Sequence, residues 1–124
     1  MFVKGISVAE LFKICALFIA IDLPYLGLVG KIIIPMTEKI QGGRPVIFRM
    51  IAAIPVYIAM AILLLSFPSS ASEAFLLGIC VYMVYDFTSF ALLKDYRLDV
   101  AIMDSIWGGI LFSGVYWIYN NYIK

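Results

Sequence analysis

Residues 50–72 read MIAAIPVYIAMAILLLSFPSSAS, and not one of these side chains carries a charge. A helix needs about 20 consecutive apolar residues to cross the hydrocarbon core of a bilayer, and the apolar run over 46–67 has that length. The strands of a membrane barrel alternate apolar and polar positions over about ten residues. From Met50 on this run is continuously apolar rather than alternating, so it reads as a membrane helix. Pro55 near its start predicts a bend.

Three further segments follow the same pattern, at about 14–34, 74–94 and 99–120. The joints between them are 35–45, which contains Gly42, Gly43 and Arg44; 68–72, rich in serine; and 94–98, which is charged. Such short polar joints suit turns between neighbouring helices. The prediction is one all-α domain over 1–124: an integral membrane four-helix bundle, antiparallel up-down-up-down, with short loops. Pro24 inside the first segment predicts a kink, because it removes the hydrogen bond to the Ala20 carbonyl.

Composition agrees with this reading. Of 124 residues, 65% are hydrophobic and 14% charged, with a mean hydropathy of +1.06; soluble domains carry about 25% charged residues. A soluble globule of this size would leave large apolar patches in water. Lys4 precedes an apolar stretch that Asp22 interrupts and that has no small-residue cleavage pattern, so a retained first span is expected.

The net charge of +1, spread over scattered Lys and Arg, excludes a nucleic-acid footprint. With no histidine in the chain, zinc, haem and Ser-His-Asp chemistry lose their commonest group. No metal and no cofactor is expected. Cys15 and Cys80 lie in apolar runs and give no disulfide framework. Lys31, Lys39, Arg44, Arg49, Lys94 and Arg97 border the first and third joints, against Lys4, Lys13 and Lys124 at the opposite end. The positive-inside rule then places both termini on the outer or luminal side.

The informative residues are Asp22, Asp86 and Asp104. A mid-membrane aspartate costs about 3 kcal/mol to insert, and roughly 12 large apolar residues in the first helix offset Asp22 by about 6 kcal/mol. Insertion therefore tolerates the acid without explaining it. At 1.5 Å rise per residue, Asp22 stands about 13 Å from Lys31, Asp86 about 12 Å from Lys94 and Asp104 about 10 Å from Arg97. These similar depths predict one shared polar pocket.

Arg49 enters from the same side and is expected to reach a carboxylate as a bidentate partner. Helical spacing puts Tyr25 on the Asp22 face, Tyr82 and Ser89 on the Asp86 face, and Trp107 with Gly108 on the Asp104 face. Ser105, Gly109 and Ser113 form a small-residue stripe that allows close helix approach. Tyr116, Trp117, Tyr119 and Tyr122 read as an interfacial aromatic belt.

These residues also carry a resemblance. Asp22, Tyr25, Leu26 and Gly27, then Tyr85, Asp86, Thr88, Ala91, Leu92 and Lys94, then Asp104, Trp107 and Gly108 resemble the pattern of an uncharacterised family of small four-helix predicted membrane proteins from bacteria and large DNA viruses. The likeness covers nearly the whole chain. It departs where Tyr25 replaces a usual tryptophan and Ser89 a usual asparagine. It implies a membrane fold, adds Tyr85 and Thr88 to the candidate residues, and implies no activity.

Two functions compete. In one, the acids bind or conduct a proton, a cation or a polar headgroup, since intramembrane ionisable residues are functional candidates by default. In the other, the chain is a structural membrane subunit or virion-membrane component whose acids only fix helix packing. The expected partners are membrane lipid and either further copies of this chain or other membrane subunits. No catalytic constellation is legible, so an enzyme is not expected.

Overall fold

The computed structural model describes residues 5–47 and 49–124. Helices α1 (Val8–Ile40), α2 (Ala53–Ser66), α3 (Ala71–Leu92) and α4 (Leu98–Ile118) make up the fold, with a 3₁₀ turn at Met50–Ala52 and a closing π-turn at Tyr119–Ile123. Among the described residues there is no strand.

The first helix is longer than the sequence reading, and local chemistry explains both ends. Its start is fixed by a capping box in which Ser7 Oγ accepts from the Glu10 amide at 3.0 Å and Glu10 Oε1 accepts from the Ser7 amide at 3.2 Å. Two orphan donors of the first turn are satisfied this way. Pro35, expected to open the joint, lies inside the helix, as does Pro24; both are exposed, so their rings do not disturb the packed face. The stop comes at Gly42 and Gly43, with φ of 72° and 89°. Their amides donate back to the Lys39 and Glu38 carbonyls, a Schellman closure that favours glycine in the left-handed region.

The second segment is shorter than expected. The described residues 44–47 and Arg49 have no regular structure, and α2 proper starts at Ala53 with Pro55 in its first turn, where a missing N–H costs nothing. Consequently three helices are long and apolar enough to cross a membrane, Val8–Ile40, Ala71–Leu92 and Leu98–Ile123, while Met50–Ser66 is a shorter apolar helix. Ser70 caps α3 by accepting from the Glu73 amide, which moves its start to Ala71.

Packing is tightest between α3 and α4, because glycine faces glycine. A Cβ on Gly78 would collide with the Gly108 carbonyl oxygen; one on Gly108 would lie 2.7 Å from the Gly78 carbonyl, and one on Gly109 would lie 2.8 Å from the Phe75 ring. Absent side chains thus let the backbones meet. Ser105 is buried with its hydroxyl bonded to the Ala101 carbonyl, and Ser113 bonds the Ile110 carbonyl.

The apolar core fills one end of the bundle, around Ile14, Phe18, Leu64, Leu111, Phe112 and Val115, with Phe18 edge-on to Phe112 at 5.0 Å. Tyr119 belongs to this core and not to an aromatic belt: it is buried and donates to Glu10 at 3.0 Å. Trp117 and Tyr122 do face outward. At the other end, Lys39 and Asp95 pair at 3.9 Å, and the Arg97 amide donates to Met36 Sδ. The first and third joints therefore meet. Lys4, counted in the orientation argument, lies outside the described residues.

Candidate functional site

Between the apolar core and the joined loops, α1, α3 and α4 bring the three acids together. Asp22 is 5% exposed, and both its oxygens are committed: Tyr57 donates to Oδ2 at 2.6 Å and Trp107 Nε1 to Oδ1 at 2.9 Å. One turn further along α1, Tyr25 donates to Asp104 Oδ1 at 2.7 Å. So α1 gives an acceptor to α4 and receives one in return. The two aromatic donors stack almost parallel, with centroids 4.4 Å apart and planes at 4°, an offset arrangement that adds to the bonds.

Asp86 is fully buried. Tyr96, in the loop before α4, donates to its Oδ1 at 2.7 Å, while Oδ2 has no donor. The side chain in hydrogen-bonding range of Asp86 is Asp104, itself only an acceptor when ionised. Each of these two interacting carboxyls accepts from a tyrosine, Asp86 from Tyr96 and Asp104 from Tyr25. Burial and the bond to Asp86 push the Tyr96 phenol well above its ordinary range. It remains a donor at any physiological pH. Tyr82 lies within electrostatic range of all three acids and packs its ring against Gly108.

No base reaches this cluster among the described residues, whose two ion pairs are Lys39–Asp95 and Arg97–Asp99. The expectation that Arg49 turns inward is corrected: it is exposed and lies on a cleft between α1 and α2. Because regular helix begins only at Met50, Arg49 stays outside the bundle. Tyr85, at 65% exposure, stays within electrostatic range of Asp86 and Asp104 and bonds Ser89, while Thr88 is exposed.

Sequence reasoning missed Tyr57, Tyr96 and Gly78. The first two are separated from their acids by 35 and 10 residues; an isolated phenol in the charge-free second segment was the available signal for Tyr57.

Metal binding finds no support in the donor set: among the described residues no three His, Cys, Asp or Glu side chains group as ligands. No curated protein and no solved structure matches the chain. The family model described as "Predicted membrane protein (DUF2177)" matches residues 7–119. With the apolar helices and the buried acids in place, that match over nearly the full length makes the chain a member of this predicted membrane protein family of unknown function.

Proposed function

We propose that Asp86 and Asp104 form a proton-binding pair in a multi-pass membrane protein that exchanges protons for a small cation. The observation carrying this reading is Asp86 Oδ2, fully buried and without a donor, on a side chain that interacts with a second carboxyl, that of Asp104. Like charges at this spacing in a dry interior do not both persist, so one proton shared between the two oxygens satisfies the orphan acceptor. Loss of that proton leaves two adjacent negative charges and no base, an environment that draws a cation.

The layering supports entry from the joined-loop end. The pair lies beneath Tyr96, whereas Asp22 and the apolar core close the other side. A crossing by Met50–Ser66, at 17 residues, falls at the short end of the spanning range. With it the chain crosses four times, and the order of contacts along α1 and α4 (Glu10 to Tyr119, Asp22 to Trp107, Tyr25 to Asp104, Met36 to Arg97) supports an antiparallel bundle. Lys39, Arg44, Lys94 and Arg97 at the joined loops then favour the termini outside.

The test is proton flux in liposomes driven by a cation gradient, read with an internal pH dye. Asp86→Asn and Asp104→Asn are expected to abolish flux and remove the protonated-carboxyl infrared band. Unchanged flux in both variants overturns the proposal.

A structural reading is favoured for Asp22 alone, since both its oxygens are already satisfied. Asp22→Asn keeps a carbonyl for Trp107 and is expected to alter stability more than flux.

A further inference from the structure

Along the outer side of α1 and α2 runs an apolar cleft of about 560 Å³. Its walls come from Val8 to Leu26 on α1 and from Met50 to Ile58 on the facing segment, and Arg49 is the one charged residue among them. Arg49 is exposed, and while its carbonyl accepts from the Ala52 amide, its guanidinium makes no hydrogen bond or ion pair to another described residue. A guanidinium beside an apolar trough is the chemistry of an anionic amphiphile, because it grips phosphate through two parallel N–H bonds.

We propose that this cleft holds one anionic phospholipid of the surrounding bilayer, its phosphate on Arg49 and one acyl chain along the α1–α2 walls. Length supports the match. From Arg49 to Ile58 the wall rises about 13 Å at 1.5 Å per residue, close to half of a hydrocarbon core of about 30 Å, the reach of one leaflet's chain. The volume is that of a specific small-molecule site, within about 300–1,000 Å³. Lining chemistry agrees: Leu11, Phe12, Ile19, Leu23, Ile54 and Ile58 offer nothing that a polar peptide could bond. The chain lies against Tyr57, the phenol that donates to Asp22, so the lipid would brace one side of the acid cluster. This inference is independent of the exchange reading, since it concerns affinity and not flux.

Native mass spectrometry of the detergent-purified protein tests it, with phosphatidylglycerol and phosphatidylcholine of identical chains as probes. The expected result is a single retained phosphatidylglycerol, bound at least about tenfold more tightly than phosphatidylcholine, as one charge-assisted pair implies. Arg49→Gln should bring phosphatidylglycerol down to the phosphatidylcholine level, and Arg49→Lys should recover part of the preference. Ala53→Trp, which fills the cleft, should weaken both lipids. Arg49 is exposed, so its variants keep the fold, and an unchanged elution profile checks this. Equal affinity for both lipids in the unmodified protein, selectivity surviving Arg49→Gln, or a dimer that excludes lipid would each overturn the proposal.

Discussion

Removing either half of the Asp22–Trp107 bond should reveal how firmly α1 is tied to α4. Trp107→Phe deletes the indole N–H that reaches Oδ1 at 2.9 Å while leaving a ring to lie against Tyr25. Hydrogen bonds between membrane helices average about 0.6 kcal/mol and reach about 1.7. The 5% exposure of Asp22 and the good geometry of this bond place it in the upper part of that range, so the expected loss is about 1–1.5 kcal/mol. Asp22→Ala removes two acceptors and strands the Tyr57 hydroxyl as well, for about 2–3 kcal/mol. In the double variant the shared bond is counted once, and the combined loss should fall short of the sum by about 1 kcal/mol. Reversible unfolding in mixed micelles, followed by tryptophan-independent far-ultraviolet dichroism, measures all four corners of the cycle. Tyr119→Phe is the control. It lies 12 residues from Trp107, about 18 Å along α4, and should add to Trp107→Phe without coupling. Additivity of Asp22→Ala and Trp107→Phe within about 0.3 kcal/mol would refute the tie.

The glycines give a prediction of opposite signs for one substitution. Gly78→Ala drives a methyl into the Gly108 carbonyl and should destabilise by about 1–3 kcal/mol, whereas Gly114→Ala meets nothing within 4 Å and should stabilise by about 0.5–1 kcal/mol in the same unfolding assay. Tyr96→Phe removes the donor to Asp86 Oδ1, so the protonated-carboxyl infrared band should move to higher frequency and exchange faster with deuterium. Lys39→Ala breaks a long, exposed ion pair at 3.9 Å and should change stability by less than about 0.5 kcal/mol in the unfolding assay.

The helices were legible because charge-free runs are rare outside membranes. Their ends were less so, although two of the signals stood in the sequence. Ser7 and Glu10 have the spacing of a capping box, and Gly42–Gly43 is a stronger stop than the exposed Pro35 that precedes it. A proline interrupts one hydrogen bond; a pair of left-handed residues turns the chain. The length of α2 was not legible, since the apolar composition of 46–67 cannot say where regular helix begins. That same local geometry left Arg49 on the outer cleft. The acids stood out by contrast with their surroundings, and depth arithmetic put Asp22, Asp86 and Asp104 at similar depth. Their donors did not stand out. Tyr25 shares a helix face with Asp22 yet bonds Asp104, and Trp107 shares one with Asp104 yet bonds Asp22. Facing positions on one helix give no information about which neighbour is met across the seam.

The crossed bonds also constrain any transport through this protein. Asp104 interacts with Asp86 and takes its hydrogen bond from Tyr25, and the Tyr25 ring rests on Trp107, whose N–H is spent on Asp22. A change in charge at the pair is therefore felt first by the Tyr25 hydroxyl and next by the stacked indole, a continuous physical route from the two carboxyls to Asp22. Beyond Asp22 the residues packed around Phe18 and Phe112 are mostly apolar, and the phenol of Tyr119 among them is bonded to Glu10. On the exchange reading, a cation that enters from the joined loops leaves at the far end only if α1 and α4 part at this tie. The strength of the Asp22–Trp107 bond thus sets the cost of opening. On the exchange reading, Trp107→Phe should raise uncoupled leak while leaving the carboxyl pair able to take up its proton, and a leak unchanged from the parent protein would confine Asp22 to holding the fold together.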